Sequence, residues 1–197
     1  EILKAGQMVS SHLAMLMHSQ ERENAANVLK NLHLLSAKPI LYVLNKKHGG
    51  QMIETKPTED FITKLGAKFV VVDAKIEGEL SELEIDDRAE FKQGLGVEDD
   101  GVNDLIKASY ELLGLETYFT TGPDETRAWT IKKGSTAPEA GLAIHTDFKE
   151  KFIRAEVVFW QDLLEAGSYA AAREKGLVRT EGKEYVVKDG DVIEFKI

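Results

Sequence analysis

At 197 residues the chain has room for one domain or for two small ones. Acids outnumber bases 34 to 25, and the formal charge of −9 argues against a broad electrostatic grip on nucleic acid, leaving only a local basic patch open. The absence of cysteine excludes disulfide frameworks, Cys-ligated zinc, iron–sulfur clusters and thiol nucleophiles, and it fits a reducing compartment.

Residues 1–37 read as amphipathic packing helix. Leu13, Leu16 and Met17, then Ala25, Val28, Leu29, Leu32 and Leu35, recur at spacings of three and four, with a bend expected in the polar stretch 19–24. No signal-peptide pattern is read here, because His, Gln, Glu and Asn run throughout. The chain opens on Glu1 rather than Met, so an upstream segment is expected.

After Ala37-Lys38-Pro39 the period changes. Ile40-Leu41-Tyr42-Val43-Leu44 is a short apolar run ending in Asn45, which suits a strand buried on both faces of a parallel sheet. Gly49-Gly50 reads as a loop. Pro57-Thr58-Glu59-Asp60 marks a helix start and Gly66 its stop. Phe69-Val70-Val71-Val72 is a second buried strand, completing a βαβ unit. Helical pieces follow near 76–84, 87–94 and 101–113, the last stopped by Gly114.

The texture changes again near Tyr118, and a domain boundary is placed near residue 117. Beyond it, 127–131 reads as a strand, 137–145 as a short helix, 153–160 as a strand and 168–175 as an alanine-rich helix. The segments 184–187 and 192–197 read as a pair of strands about the turn Lys188-Asp189-Gly190-Asp191, which carries the Asp-Gly hairpin signal. Strands around short helices indicate a small α+β roll. Trp129 and Trp160, both in apolar strand segments, read as core anchors.

No catalytic constellation is present in these residues. Neither G-x-x-x-x-G-K-[ST] nor G-x-G-x-x-G occurs, so nothing here cradles a phosphate. There is no H-E-x-x-H, G-x-S-x-G or EF-hand loop, and the five histidines, His12 and His18 among them, are scattered. The acidic clusters 82–87 and 98–100 read as solvated helix starts, and His145 and Asp147 as capping residues.

A longer pattern points to a family. Thr117-Tyr118-Phe119-Thr120-Thr121-Gly122, Arg127-Ala128-Trp129-Thr130-Ile131-Lys132-Lys133-Gly134-Ser135-Thr136-Ala137-Pro138, Ile144-His145-Thr146-Asp147-Phe148, Phe152-Ile153-Arg154-Ala155-Glu156-Val157 and Gly182-Lys183-Glu184-Tyr185-Val186-Val187-Lys188-Asp189-Gly190-Asp191 follow in order. Together they closely resemble the C-terminal TGS domain of the YchF (Obg-like ATPase) family of P-loop NTPases. Lys38-Pro39-Ile40-Leu41-Tyr42-Val43-Leu44-Asn45 resembles the strand that delivers the family's base-recognition motif, and Asp73-Ala74-Lys75-Ile76-Glu77-Gly78-Glu79-Leu80 its next nucleotide-side loop. The resemblance covers about residues 36–197; residues 1–35 resemble, loosely, the end of the helical hairpin inserted in the family's G domain.

The resemblance implies an α/β chain: a helical segment 1–37, the C-terminal part of a P-loop-type G domain over 38–116, and a ubiquitin-like β-grasp TGS domain over 117–197. It implies ATP or GTP with magnesium as the ligand of the intact family, and nucleotide-side roles for Asn45, Lys46, Ala74 and Lys75. The family's P-loop, switches and magnesium ligands would lie upstream of Glu1, so the chain as given holds no metal or cofactor and hydrolyses nothing. The family's base-reading motif is Asn-x-x-Glu. Here it is Asn45-Lys46-Lys47-His48, and a neutral His offers at most one acceptor where a carboxylate would accept from guanine N–H groups.

In the TGS part, Lys132, Lys133, Lys149, Lys151 and Arg154 form the densest basic group. Lys132, Lys133 and Arg154 are the candidates for ribosome or structured-RNA contact. The family implies a cytoplasmic protein, and no apolar run approaches the roughly 18 residues needed to cross a membrane. Strands 39–44 and 69–72 need cover. Residues 1–37 are expected to fold back on them through Leu13, Leu16, Val28 and Leu32, or to exchange with a second copy in a homodimer. The alternative to a nucleotide-factor fragment is a naturally short RNA- or protein-binding TGS adaptor.

Overall fold

The computed structural model describes residues 31, 33–47, 49, 54–97, 101–122 and 124–197. Of the helical segment expected over residues 1–37, residues 1–30 and 32 lie outside the described residues, as do the bend and the homodimer contacts expected there, His12, His18, His48 and the acidic stretch 98–100; its end, Leu35–Ala37, is a 3-10 turn rather than α-helix. The chain is α/β and forms two compact units, Glu1–Leu113 and Gly114–Ile197.

In the N-terminal unit, a short 3-10 turn at Leu35–Ala37 leads into β1, Leu41–Asn45. Helix α1, Lys56–Lys64, carries proline in its first turn, where the missing N–H costs nothing, and returns the chain to β2, Lys68–Val72. The two strands run parallel, from Leu41 opposite Lys68 to Asn45 opposite Val72. This is the βαβ unit that the paired apolar runs predict. Helices α2, Ala74–Ser81, α3, Ile85–Leu95, and α4, Gly101–Leu113, follow. Both α1 and α4 pack on β2. Helix α2 starts two residues before the sequence pattern suggests, because the Asp73 side chain caps it.

The C-terminal unit is a five-stranded mixed sheet. β3, Leu115–Thr121, and β4, Thr126–Lys132, form an antiparallel hairpin. β5 is Arg154–Phe159, β6 Arg179–Glu181 and β7 Asp191–Lys196, and the order across the sheet is β4-β3-β7-β5-β6. The last strand sits in the centre, parallel to β3 and antiparallel to β5. One face buries Tyr118, Ile131, Ala155, Val157, Ile193 and Phe195 against Ala137 and Ala140 of α5, Ala137–Gly141. The other buries Val158 and Val192 against Ala172 of α8, Tyr169–Glu174, with Leu163 of α7, Trp160–Ala166, packed at the margin.

Several expectations for this unit are corrected. Residues 184–187 do not form a strand paired with β7. Val186 makes only an isolated bridge with Thr136, and Ala137 N donates to Tyr185 O at 2.8 Å. The buried Asp191 carboxylate holds the turn beside it, its Oδ2 accepting from Tyr185 Oη at 2.7 Å and from Lys188 N at 2.9 Å. The backbone of this stretch is instead taken by the 135–137 loop, Val187 N donating to Ser135 O at 3.0 Å. The expected helix 137–145 ends at Gly141, and His145 caps a separate helix, α6, Thr146–Glu150. Trp160 opens α7 rather than closing a strand and is 40% exposed. Trp129 packs against the core, with its Nε1 donating to Thr120 Oγ1 at 2.9 Å.

Candidate functional site

In a parallel αβ unit, loops at the carboxyl ends of the strands are the natural place for a ligand. At that end β1 finishes on Asn45 and β2 on Val72. The backbone continues the pairing by one bond, Lys46 N to Val72 O at 2.9 Å. Asn45 Oδ1 then accepts from Ala74 N at 3.2 Å. Asp73 Oδ1 accepts from Lys75 N at 3.0 Å and Ile76 N at 3.1 Å. The opening N–H groups of α2 are therefore already occupied, which removes the helix end as an anion cradle and makes it a rigid wall. Ile76 and Leu80, at 6% and 4% exposure, anchor that helix from below.

The structure thus brings together Asn45, Lys46, Ala74 and Lys75, from two segments almost 30 residues apart in sequence. All four are exposed. Lys75 Nζ lies 3.4 Å from Glu79 Oε1 on its own helix. What this rim offers a ligand is the Asn45 amide, the aliphatic stem of Lys46 and a fixed backbone. That suits the edge and face of a planar heterocycle. Among the described residues, no group of three or more His, Asp or Glu is placed to hold a metal ion.

Two further residues, both within the segment that resembles the nucleotide-side loop but not among its candidate site residues, shape the rim. Asp73 was legible in principle as an Asp before a helix. Glu77 was not: its Oε1 accepts from Val102 N at 3.3 Å, tying the first turn of α4 to α2. No local pattern announces a cap supplied from another helix. Gly101 makes the approach possible, since a Cβ there would sit 2.9 Å from Glu77 Oε1 and 3.3 Å from Val72 Cγ1.

The basic residues of the C-terminal unit are dispersed. Lys132 closes β4 opposite Leu115, at the start of β3. Lys133 Nζ lies 3.4 Å from Glu116 Oε1. Arg154 opens β5 opposite Lys196, at the far end of β7. With Phe119 level with Val192, the register separates Lys132 from Arg154 by eight residues of rise, roughly 26 Å along the strands. They do not form one patch. Lys151 Nζ is engaged by Asp147 Oδ2 at 2.8 Å.

His145 and Asp147 do act in capping. His145 Nδ1 accepts from Asp147 N at 3.2 Å, and the Lys151 bond holds the Asp147 carboxyl below its usual range. Burial, reinforced by the bond to Asp191, pushes the Tyr185 phenol up to about 12. Asp147 and Tyr185 thus serve the local fold through these bonds.

Residues 115–197 match the family model YchF-GTPase_C, described as a protein of unknown function (DUF933). The chain is 49% identical over 180 residues to the ribosome-binding ATPase YchF of Bacillus subtilis, covering 88% of this chain and 49% of that protein. It is 38% identical over 174 residues to human Obg-like ATPase 1, covering 84% and 43%. Among solved structures, the Schizosaccharomyces pombe YchF GTPase superposes with a TM-score of 0.81 at 30% identity, over 98% of this chain and 50% of that one. The chain spans about half the length of the curated relatives it matches.

Proposed function

We propose, from the premise that the chain belongs to the YchF (Obg-like ATPase) family and spans its C-terminal part, that it supplies the base-facing rim of a nucleotide site and a ribosome-directed TGS module. By itself it is a binding module rather than a catalyst. The hydrogen bond from Ala74 N to Asn45 Oδ1 carries the first half of this reading, because it fixes against each other the two loops where a purine base would lie. The second half rests on the names of the relatives and on the strand order β4-β3-β7-β5-β6, with the last strand central, which suits a β-grasp unit.

ATP or GTP with magnesium is the ligand class for the whole protein. The residues here fit its base and leave its phosphates to P-loop chemistry, which lowers the barrier by placing N–H groups, a lysine and magnesium around the transferring phosphoryl group. Asn45 and Lys46 orient the base. Asp73 and Glu77 act one step back, keeping the α2 and α4 ends in place.

Amide NMR on the purified chain tests this. Millimolar ATP or adenosine is expected to shift the signals of Asn45, Lys46, Ala74 and Lys75, with no phosphate released above the buffer rate. Unmoved signals sink the base-side reading, and tight binding or turnover sinks the non-catalytic one. For the TGS module, cosedimentation with ribosomes across a salt series is the measurement. Because Lys132 and Lys133 lie far from Arg154, reversing the charges at one end is expected to lower the salt slope while the other end leaves it alone.

A further inference from the structure

The turn Lys188-Asp189-Gly190-Asp191 is fastened from several sides. Thr117 N in β3 donates to Asp189 Oδ1 at 2.7 Å, and Gly190 N donates back to Thr117 O at 2.8 Å. Gly190 O accepts from the N–H of Trp160, the first residue of α7, at 3.1 Å. Within the turn, Asp191 N donates to Lys188 O at 3.1 Å and Lys188 N to Asp191 Oδ2 at 2.9 Å.

The fold demands both central residues. Gly190 is buried at φ +86°, and a Cβ on it would lie 2.7 Å from Trp160 Cδ1 and 2.8 Å from Phe159 Cε2. Asp189 supplies the acceptor for the Thr117 N–H. The turn therefore carries an aspartyl-glycyl pair. That dipeptide is the one most open to attack by its own backbone nitrogen on the aspartyl side chain, because glycine puts no side chain in the way.

We propose that Asp189-Gly190 is a latent isoaspartate site, held in the aspartyl form by its two bonds to Thr117 and converted only when the turn lifts from β3. In the reaction Gly190 N bonds to Asp189 Cγ, the carboxyl C–OH bond breaks, and the hydroxyl leaves as water with the amide proton. Water then opens the cyclic imide at either carbonyl. Opening at the main-chain carbonyl leaves the chain running through Cβ and Cγ, so the net change is an isomerisation with no oxidant or reductant. In the closed turn both reactants are engaged, the nitrogen through its proton on Thr117 O and the carboxylate on Thr117 N. Ring closure needs that nitrogen stripped of its proton and turned onto Cγ, so both bonds break first. The rate in the folded chain is then the unfolded rate multiplied by the fraction of time the turn is open. Conversion lengthens the main chain by the Cβ methylene, so the two Thr117 bonds do not both re-form and the opened turn is trapped.

Ageing the full chain at neutral pH, with and without unfolding guanidinium, tests this. Electron-transfer fragmentation of the digested chain separates the two isomers at residue 189 despite their equal mass, and labelling by an isoaspartate methyltransferase counts them independently. The unfolded chain is expected to convert at 189 at the pace of the other aspartyl-glycyl pair, Asp100-Gly101. The folded chain is expected to convert at 189 about tenfold more slowly or less. Tyr185→Phe removes the bond from Tyr185 Oη to Asp191 Oδ2 at the edge of the turn and leaves the reacting pair intact. It is expected to raise hydrogen exchange at the Gly190 amide about threefold, and conversion at 189 by the same factor. Asp189→Glu keeps a carboxylate but requires a larger, slower-closing ring, and is expected to abolish the signal at 189. Equal rates in the folded and unfolded chain overturn the protection by Thr117. No conversion at 189 in guanidinium overturns the site itself, and conversion that fails to follow Gly190 exchange from the parent chain to Tyr185→Phe overturns the gating.

Discussion

β1 and β2 carry apolar runs as continuous as any in the chain, yet Val43 in the middle of β1 is 47% exposed and no residue of β1 is buried. β5 and β7 are no more apolar, but Val157 and Val158 are fully buried, with Val192 and Ile193 at 4% and 2%. The difference lies in cover. Among the described residues, helices α1 and α4 pack against β2, and Ile62, Val72, Ile76 and Leu80 form the only buried apolar set of that unit. In the C-terminal unit α5 backs one face and α8 the other, and each side has its own cluster. An apolar run therefore states what a strand needs on its two faces. It does not state whether the same stretch of chain provides it.

The comparison breaks most visibly at Phe195. Its ring meets Phe148, Tyr118 and Phe152 edge-on, at centroid distances of 5.7, 5.9 and 6.3 Å. Phe195→Ala is expected to cost about 3–5 kcal/mol, as large-to-small changes at packed aromatics do. Val43→Ala, at an exposed position of the parallel pair, is expected to cost below about 1 kcal/mol. Urea unfolding of the two variants measures both. Equal losses would mean that β1 is covered as completely as β7, and the contrast would be wrong.

The βαβ unit was legible because its signals are local and redundant: two apolar runs, a proline-led helix and Gly66 at its end. β3 was not assigned as a strand. Its sequence Leu-Glu-Thr-Tyr-Phe-Thr-Thr mixes polar and apolar residues, and only the pairing with β4 and β7 makes it one. The Asp-Gly turn is real but its first arm pairs elsewhere, because a hairpin signal describes a turn and says nothing of the 135–137 loop that takes the backbone bonds of Tyr185 and Val187. At the site, Asn45, Ala74 and Lys75 were placed through resemblance to a family. No periodicity relates residues 45 and 74, and the bond joining them exists only after the strands pair.

Gly190 and Gly66 sharpen the comparison at an intermediate scale. Both have positive φ, +86° and +67°. A Cβ on Gly190 would lie 2.7 Å from Trp160 Cδ1 and 2.8 Å from Phe159 Cε2, whereas Gly66 meets nothing within 4 Å. Gly190→Ala must pay both backbone strain and a clash between the turn and α7, about 2–4 kcal/mol together. Gly66→Ala carries the strain alone, about 1 kcal/mol. Thermal midpoints of the two variants separate the closely packed unit from the open one, and similar shifts would show that packing adds nothing at Gly190.

The smallest expected effect is acidic and confined to the C-terminal unit. The Glu139 carboxylate accepts from Thr136 N at 2.9 Å and from Thr136 Oγ1 at 3.0 Å, and the backbone bond is the main reason its carboxyl titrates below the ordinary 4.5. Asp147 is lowered chiefly by its bond to Lys151. A carboxyl held low in the folded state favours the charged form there. Its contribution is complete above the unfolded value and drains away as pH falls through the lowered folded value, so the unit loses stability on the acid side of about pH 4.5. Glu139→Gln keeps an acceptor for the Thr136 N–H but removes the charge, and it should flatten that part of the profile. Raising the salt should weaken the Asp147–Lys151 part, which is exposed and screened, and leave the Thr136 part in place. The readout is the near-ultraviolet thermal midpoint, followed from neutral pH downward for the parent chain and the variant. Parallel profiles for the two would show that the Thr136–Glu139 capping box contributes through hydrogen bonding alone, with no share carried by its charge.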